Sequence, residues 1–578
     1  MDLSRKPSGL FQRLLQLRAK SQKAIDSFSS TEKYVFVFFI VALTASSLFL
    51  LKNTLNMFMK EVPARGGEIH EGVIGYPRYI NPILSVTDSG KDLTLLIYSG
   101  LLKATGDGQI IADMAESYSI SDDGTVYNVK IRENAKFHDG TPLTSKDVEF
   151  TIKKALDPAL KSPKAPNWQG VSVRVISEKE IEFVLSKPYA PFIENLTLGI
   201  LPEHLWKDID PEAYLWSERN FDPIGSGPFK TKEIKRDKSG LPIHYKLVPF
   251  ADYPLGKPFI KEIYMHFYTN EEKLLEAIKK GEVDSAGALS PKSAIEIKDS
   301  DHKILRSPLP RIFALFLNQN EIPIFADKNV RLALSTAVNR TEIVDEILKG
   351  FGTETKSPLP ASISLLPKEQ TDNATQIQEA INILEKAGFT KDANGIMEKK
   401  TAKETSRLSF TISTSNYPEL KDTALLLKKQ WEAIGAEVKV ELYELSDLNQ
   451  NILRPRKYNS LLFGEVIGRD LDLYAFWHSS ERNDPGLNLS QYTNSKADKF
   501  LVDARSTSDT NKKVEALQGL EKEITNDVPA IFLYSPDFIY IIPKNLRGVS
   551  VDTITSGSER FLDAHKWYTD TEYVWKFF

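Results

Sequence analysis

The sequence predicts an α/β protein with mixed sheets, preceded by one transmembrane helix. The chain has 578 residues, of which 41% are hydrophobic and 26% are charged, an ordinary balance for globular domains. Strand-like and helix-like segments alternate beyond about Gly66. An uncharged apolar run lies nearer the N-terminus, from Tyr34 to Leu51. At ~100–200 residues per domain, the length predicts roughly three or four domains or lobes.

The apolar run is long enough to cross a lipid bilayer. Its residues, at a rise of ~1.5 Å each, span roughly 27 Å, close to the ~30 Å hydrocarbon core. A buried core helix is disfavoured, because the run has no polar face. A cleaved signal peptide stays an alternative, although no convincing small-residue cleavage site follows. We predict an uncleaved single-span anchor at residues 34–51.

The charges before the run predict its orientation. Residues 1–33 hold seven Lys or Arg and three Asp or Glu, a net charge of +4. Because positively charged flanks stay inside the cell, we expect the N-terminus in the cytoplasm and everything after Lys52 outside the membrane. Two interpretations of the basic tail stay open. It either lies on the inner leaflet, through apolar residues such as Phe11 and Leu14, or is solvated.

The first strong local pattern in the exported part is a turn, a strand and a helix. The segment SDDGTVYNVKI predicts a turn followed by a strand with Tyr127, Val129 and Ile131 on one face. The segment TPLTSKDVEFTIKKAL then predicts a helix. Thr144 is the expected N-cap, and Asp147 stands where it completes a capping box.

Two further patterns predict helices between strands. The segments RLSFTISTS, PELKDTALLLKKQWEAIG and AEVKVELYEL predict strand, helix and strand, with the helix ending at Gly435. Such a crossover implies parallel strands and a right-handed connection. The segments NVRLALSTAV and TEIVDEILKG predict a helix pair that is broken at Asn339 and Arg340, capped again by Thr341 and stopped at Gly350.

Several classes of chemistry have no support in the sequence. Cysteine is absent, which excludes disulfides, thiolate zinc sites, iron–sulfur clusters and catalytic thiols. The net charge of −4 disfavours a nucleic-acid-binding protein. No phosphate-binding loop, dinucleotide fingerprint or nucleophile elbow occurs, and the eight histidines form no i,i+3 or i,i+4 pair. We expect no catalytic residues, no cofactor and no metal site. A glycosidase-like pair of carboxylates stays an alternative, because no sequence motif marks such a pair.

The order of several segments resembles a known family. The stretch AESYSISDDGTVYNVKIRENAKFHDGTPLTSKDVEFTIKKALDP is similar to the signature of extracytoplasmic solute-binding proteins of the oligopeptide/dipeptide-binding class, family 5. The segments GGEIHEGVIGYPRYINPIL, LIYSGLL, IGSGPFK, KKGEVDSAG, LEKAGF and DVPAIFLYSPDFIYI stand in the family's order around it. The resemblance covers almost the whole exported chain.

The resemblance implies a two-lobe periplasmic-binding-protein-like fold (type II) with an extra subdomain. Carried onto this chain, lobe one comprises residues 66–92, 202–310 and 529–578. The extra subdomain comprises residues 93–201, and lobe two comprises residues 311–527. The hinge strands are expected at residues 312–318 and 530–535, which are apolar and aromatic as buried crossover strands should be.

The resemblance also implies where a peptide's amine would bind. The segment LLFGEVIGRDLDLYAFWHSS looks like the family's lobe-two loop, where peptide binders carry an aspartate that grips the ligand's α-amine. Alignment on Asp470 and Leu471 places Ile467 at that position. Two interpretations stay open: either Glu465 replaces this clamp through a shifted loop, or the ligand has no α-amine.

The other expected ligand contacts are aromatic or polar residues on loops near the cleft. With the lobe-two loop they form a predicted set of Tyr79, Asn81, Tyr98, Asn318, Phe463, Glu465, Arg469, Asp470, Tyr474 and Trp477. Each aromatic residue in the set has core packing as its alternative role, and Arg469 has a solvated surface position.

These observations favour a membrane-anchored extracellular (or periplasmic) solute-binding protein. By resemblance, it captures an oligopeptide or similar small solute by hinge closure and delivers it to the permease subunits of an ABC importer. We expect a monomer with no nucleic-acid partner. Two other classes stay open: an extracytoplasmic sensor that reports ligand occupancy, and an extracytoplasmic hydrolase of peptides or glycans.

Overall fold

The computed structural model describes residues 20, 22, 27–297, 301–361, 363–366, 373–401, 405–507 and 509–576. Most of the basic tail, for which a leaflet-bound or solvated position was predicted, lies outside the described residues. The chain divides into two compact units, residues 1–64 with 570–578, and residues 65–569.

The strands of the described residues are numbered in chain order. They are β1 Met59–Pro63, β2 Gly66–Ile74, β3 Leu102–Ala104, β4 Ile110–Ala112, β5 Ala115–Ile120, β6 Val126–Ile131, β7 Val171–Ser177, β8 Glu180–Leu185, β9 Phe229–Arg236, β10 Pro242–Pro249, β11 Ile260–Tyr268, β12 Ser285–Gly287, β13 His302–Pro308, β14 Arg311–Leu317, β15 Gly352–Glu354, β16 Thr390–Lys391, β17 Met397–Lys400, β18 Thr405–Arg407, β19 Ser409–Ser415, β20 Glu437–Tyr443, β21 Ser460–Val466, β22 Ala530–Pro543 and β23 Thr571–Trp575.

The α-helices are numbered in the same way. They are α1 Ser30–Phe58, α2 Asp88–Ile97, α3 Ser145–Leu156, α4 Ala165–Trp168, α5 Phe192–Asn195, α6 Glu203–Trp206, α7 Pro211–Tyr214, α8 Glu271–Lys279, α9 Pro291–Glu296, α10 Lys328–Thr336, α11 Arg340–Glu346, α12 Asn373–Lys386, α13 Pro418–Ala433, α14 Leu445–Asp447, α15 Tyr474–Trp477, α16 Ser495–Ser506 and α17 Thr510–Asp527. Short 3-10 helices lie between these elements or after them, at Glu218–Asn220, Pro323–Ala326, Ser479–Glu481, Gly557–Phe561 and Ala564–Lys566.

The unit of residues 1–64 and 570–578 contains α1 and a two-stranded antiparallel sheet. Within α1, residues 30–54 are long and apolar enough to cross a membrane, and none of the residues in the apolar part of that segment is buried in the protein. The predicted span of residues 34–51 lies inside it. The sheet pairs β1 with β23, so the last strand of the chain belongs to this unit.

The larger unit is built on one mixed sheet of twelve strands. Ten of them lie in the order β20-β19-β21-β14-β22-β12-β2-β11-β10-β9, and β13 and β15 also pair with β22. The 14-residue strand β22 is therefore shared by both halves of the sheet: its first part pairs with β14 and its second part pairs with β13. Leu309 N donates to Pro536 O at 3.1 Å, so the segments where the chain passes between the halves lie side by side.

Separate hydrophobic cores lie on the two sides of this crossing. One core joins residues between Ile69 and Leu309 with residues between Phe538 and Trp567. Two other cores take all their members from between Ile312 and Tyr534. We name residues 66–308 and 538–569 lobe one, and residues 311–534 lobe two. Because a buried apolar side chain contributes ~1.5–3 kcal/mol, each lobe has its own source of stability.

A four-stranded antiparallel sheet forms an additional layer on lobe one. Its order is β5-β6-β8-β7, and α3 and α4 lie beside it. On β6, the predicted alternation is confirmed, because Tyr127, Val129 and Ile131 are buried. The capping box of α3 is also confirmed, with Thr144 N and Oγ1 both donating to Asp147 Oδ2. We call residues 115–199 the subdomain.

The predicted strand–helix–strand crossover in lobe two is confirmed. The predicted cap of another helix of this lobe, α11, is wrong. Strands β19 and β20 pair in parallel on either side of α13. The cap of α11 is Asn339 rather than Thr341, because the Asn339 carboxamide oxygen accepts the Glu342 N–H at 3.1 Å. Helix α11 ends at Glu346 with Ile347 as its C-cap, and the positive φ of Lys349 and Gly350 prevents it from continuing beyond that turn.

Candidate functional site

A cavity of about 340 Å³ lies where lobe one, the subdomain and one loop of lobe two meet. Lobe one lines it with α2, Tyr98 and residues from 556–562, and the subdomain with residues from 164–168 and 194–199. Lobe two contributes Arg469. Pockets of a few hundred cubic ångströms that bury most of a ligand are typical small-molecule sites.

Arg469 connects the two lobes at this cavity. Its Nη2 donates to Glu559 Oε2 at 2.6 Å, and its Nη1 donates to the carbonyl oxygen of Thr553 at 2.9 Å. The side chains of Arg469 and Glu559 are only 10% and 18% exposed, so this ion pair is largely shielded from water. The structure therefore has the lobes in contact across the cleft.

A second contact between lobes involves Arg505 on α16. Its guanidinium lies 4.1 Å from the Tyr474 ring centre and 5.5 Å from the ring centre of Tyr189 in the subdomain. Its Nη2 donates to Asp472 Oδ2 at 2.7 Å. The backbone N–H of Ala190 donates to the Arg505 carbonyl at 3.4 Å. Arg505 of lobe two thus contacts one aromatic ring on each side of the cleft, Tyr474 in its own lobe and Tyr189 in the subdomain.

The cavity wall carries a carboxyl group with a perturbed pKa. Burial, together with the nearby charges of Asp470 and Glu559, raises the pKa of Glu194 to about 7, while Arg469 and Lys513 act in the opposite direction. Glu194 lies on the short helix α5. The next residue, Asn195, fixes this helix in place, because its Nδ2 donates to the Asn167 carbonyl at 2.8 Å. Perturbed groups of this kind are enriched in functional sites.

A buried lysine lies deeper in the same wall. Lys103 Nζ donates to the Leu562 carbonyl at 2.6 Å and to the Tyr253 hydroxyl at 3.4 Å. Burial lowers the pKa of Lys103 and raises that of the neighbouring Asp113. The charge of each group favours the charged form of the other, so the protonation states of Lys103 and Asp113 depend on each other.

The family is decided by comparison with known proteins. The profile of the bacterial extracellular solute-binding proteins, family 5 (middle region), matches residues 109–500. The chain belongs to this family. Its structure is the mixed α/β fold of the periplasmic solute-binding proteins, preceded in this chain by the apolar helix α1.

Two relatives illustrate the range of this solute-binding family. The chain is 31% identical over 504 residues to the oligopeptide-binding protein AppA of Bacillus subtilis (strain 168), covering 84% of this chain and 89% of that protein. The solved structure of Bacillus subtilis AppA in complex with a nonapeptide has a TM-score of 0.67 at 28% identity, with 88% and 99% of the two chains covered. NikZ from Campylobacter jejuni, in complex with Ni(L-His), has a TM-score of 0.68 at 26% identity, with 87% and 99% covered.

Of the ten residues predicted to contact ligand, Tyr98 and Arg469 line the cavity of this solute-binding protein. Tyr98 is 4% exposed, and burial raises the pKa of its hydroxyl well above the usual range. Tyr79, in the first loop, does not line the cavity; it is half-buried against the core of lobe one, with the Arg78 guanidinium 5.3 Å from its ring centre.

Two predicted asparagines are buried and support loops. Asn81 is fully buried; its Nδ2 donates to Asn220 Oδ1 at 3.1 Å, and its Oδ1 accepts the Ile83 N–H. Asn318 is 2% exposed, and its Nδ2 donates to the Arg456 carbonyl at 2.9 Å. Both side chains use their polar atoms inside the protein.

Three predicted residues of the lobe-two loop lie in or against a core of that lobe. Glu465 and Trp477 are each 1% exposed, and Phe463 packs against the same core. Neither carboxyl oxygen of Glu465 has a hydrogen-bond partner within the described part of the chain. Burial raises the pKa of Glu465 to about 8, so its carboxyl is mainly neutral at pH 7. The structure gives this group no contact with the cavity.

The two remaining predicted residues already have partners in lobe two. Asp470 Oδ1 accepts from Lys513 Nζ at 2.6 Å. The Tyr474 ring stacks on His478, with 4.1 Å between ring centres, and also faces Arg505. Leu471, in the same loop, has a positive φ of 54°, a backbone conformation that costs free energy in a non-glycine residue.

The structure also brings together residues that the sequence did not single out. Lys91, Lys164 and Glu194 line the cavity, although nothing in their local sequence marks them. His70 and His266 lie on neighbouring strands, with 3.1 Å between Nδ1 of the first and Nε2 of the second. Across the described residues, no group of three or more His, Asp or Glu has an arrangement that could hold a metal ion.

Proposed function

We propose that this protein is a membrane-anchored extracellular receptor that captures a short peptide or similar small solute and delivers it to an ABC importer. The observation that carries this proposal is the cavity lined by lobe one, the subdomain and Arg469 of lobe two. A ligand that contacts both lobes only when they meet stabilises the closed state by its differential affinity. A micromolar site needs ~8 kcal/mol, which a few charge-assisted hydrogen bonds and buried apolar area can supply.

The proposed hinge is the pair of segments that link the lobes. Residues 309–310 and 535–537 join the separate cores, and Ser535 Oγ donates to the Leu309 carbonyl at 2.8 Å. The sequence placed the hinge strands at residues 312–318 and 530–535. We now propose that these strands belong to lobe two and that bending takes place in the adjoining segments. The lobe boundaries are proposed accordingly.

Helix α1 is proposed to anchor the protein in the membrane. Its apolar segment has no buried residue, and the basic tail before it favours a cytoplasmic N-terminus. Tethering would keep the receptor concentrated near its importer, which a weak docking interface requires. The intact mass of protein extracted from membranes tests this, because a cleaved signal peptide would remove the tail and most of the apolar segment.

The class of ligand is proposed from the relatives, which bind different molecules. The AppA structure holds a nonapeptide, and the NikZ structure holds Ni(L-His). The cavity volume of about 340 Å³ suits a small solute or a short peptide. We propose a monomer that returns its ligand chemically intact, in contrast to a hydrolase.

The test is incubation of the full-length protein with a defined peptide mixture, followed by mass spectrometry of bound and free fractions. A binding protein retains selected peptides without changing their mass, whereas a hydrolase produces fragments. Deletion of the gene should abolish uptake of a retained, labelled peptide. Unchanged uptake in the deletion strain would favour a sensor over a transport receptor.

A further inference from the structure

The charged groups around the cavity divide into paired and unpaired groups. Arg469 is paired with Glu559, and Lys103 is hydrogen-bonded within lobe one. Within the described residues, neither the Lys164 ammonium nor the Glu194 carboxyl has a hydrogen bond or ion pair. Lys91 has only the exposed Asp88, at 3.8 Å. A cavity with unpaired charges of both signs is suited to a ligand that carries the complementary charges.

Lys164 is held in place on the cationic side. Ser162 Oγ donates to the Ile83 carbonyl at 2.6 Å and accepts the Lys164 N–H at 3.1 Å, which fixes the turn against the loop before α2. Burial and the charge of Lys91 lower the pKa of Lys164. Two neighbouring cations in a partly desolvated wall repel each other until an anion binds between them.

Glu194 forms the anionic side. The carboxylates of Asp470 and Glu559 face it from the loop of lobe two and from the C-terminal part of lobe one, as do the cations Arg469 and Lys513. Each of those four groups already has an ion-pair partner, since Arg469 binds Glu559 and Lys513 binds Asp470. A ligand ammonium would therefore find its free partner in Glu194.

The other candidate amine clamps are occupied or buried. Asp472 is bound by Arg505 at 2.7 Å, and Asp470 is bound by Lys513. Glu465 lies in the core of lobe two with a mainly neutral carboxyl. We propose that the cavity takes a zwitterionic ligand, with Glu194 binding its ammonium group and Lys164, beside Lys91, binding its carboxylate. This rests on the proposed function and narrows the ligand to short peptides with both termini free.

The test uses one tripeptide library in three forms: free, N-acetylated and C-amidated. Native mass spectrometry compares their binding to full-length protein in detergent, after dialysis to remove bound ligand. We expect acetylation and amidation each to weaken binding at least tenfold. Glu194→Gln should remove only the discrimination against acetylated peptides, and Lys164→Gln only that against amidated peptides. Exposed Glu180→Gln and Lys153→Gln are the matched controls, expected to bind as the wild type does.

The outcomes separate this inference from the proposed function. If all three forms bind the wild type equally, the zwitterion assignment is overturned while the proposed function stands. If the wild type discriminates but the two variants do not alter the pattern, the assignment to Glu194 and Lys164 is overturned. If no form binds, peptide capture itself is contradicted.

A second readout needs no variant. Because the Glu194 carboxyl is about half protonated at pH 7, a bound ammonium should displace about half a proton. Titration calorimetry in phosphate and Tris buffers measures this number from the difference in binding enthalpy. Free peptides should release more protons than acetylated ones, and equal release from both forms would contradict the role of Glu194.

Discussion

Arg469 of lobe two donates its Nη2 to Glu559 Oε2 of lobe one at 2.6 Å, which makes these two residues a direct link across the cleft. The pair is largely shielded from water, and Arg469 also binds the Thr553 carbonyl. Charge-assisted hydrogen bonds of this kind contribute ~1.5–3 kcal/mol when shielded. Closure of the lobes is therefore stabilised by the protein as well as by a ligand.

We predict that Arg469→Ala weakens ligand binding, because it removes a contact that exists only in the closed state. The dissociation constant for the free tripeptide library should rise about tenfold or more, corresponding to ~1.4 kcal/mol. Arg454→Ala is the matched control, since Arg454 pairs with Asp484 inside lobe two and is 61% exposed. Equal affinities for the two variants, measured by calorimetry, would contradict the role of Arg469 in closure.

A second prediction concerns the buried ion cluster in lobe one. Arg560 donates to Glu71 Oε1 at 2.9 Å and to both carboxyl oxygens of Asp92, and all three side chains are at most 4% exposed. Arg560→Ala leaves two buried carboxylates without their cation, so it should lower the free energy of unfolding by ~3–5 kcal/mol. Arg174→Ala removes an exposed pair and should cost less than ~1 kcal/mol. Denaturant unfolding measures both values, and similar losses would contradict this interpretation.

A third prediction concerns Glu465. Its pKa of about 8 in the folded protein exceeds the usual 4.5, so the unfolded chain loses this proton first as the pH rises. Stability is thus lost between pH 4.5 and 8, by up to ~3 kcal/mol at pH 7 since each pKa unit is worth ~1.4 kcal/mol. Glu465→Gln should reduce this loss, whereas exposed Glu437→Gln should not. A loss of affinity confined to free-amine peptides would instead identify Glu465 as the amine clamp.

A fourth prediction concerns acid sensitivity. His138 Nε2 donates to the Gly227 carbonyl at 3.0 Å while Nδ1 accepts from Gly225 N, and the second of these bonds requires a neutral ring. Burial lowers the pKa of His138 to about 4, and the unfolded chain binds the proton first as the pH falls. Stability should fall by ~3 kcal/mol between pH 6.5 and 4 through this residue. His138→Gln should give a flatter pH profile in thermal melts, and an unchanged slope would contradict the prediction.

The sequence was most informative where structure depends on local contacts. The capping box of Thr144 and Asp147 involves residues three apart, and the alternation of Tyr127 and Val129 follows from one buried strand face. The mistaken cap at Thr341 shows the limit of such patterns. Asn339 also has a side chain that can accept a helix N–H, and only the backbone geometry shows which of the two does so.

The site depended on contacts that local patterns do not record. Glu194 and Lys164 meet at one cavity with Arg469, which lies far along the chain in the other lobe. His70 and His266 are 196 residues apart and touch because their strands are neighbours, so a search at helical spacing misses them. Alignment of the lobe-two loop placed Ile467 at the clamp position and left Glu465 as the nearest acid, but it did not show that the Glu465 side chain is buried.

The most direct test of the central claim is a distance measurement between the lobes. Because the chain has no cysteine, Ser119→Cys and Lys429→Cys would give one spin label on the subdomain and one on lobe two, both at exposed positions. Double electron–electron resonance on the full-length protein should show one short distance with bound peptide and an added longer distance after the peptide is removed. Identical distance distributions with and without peptide would contradict capture by closure.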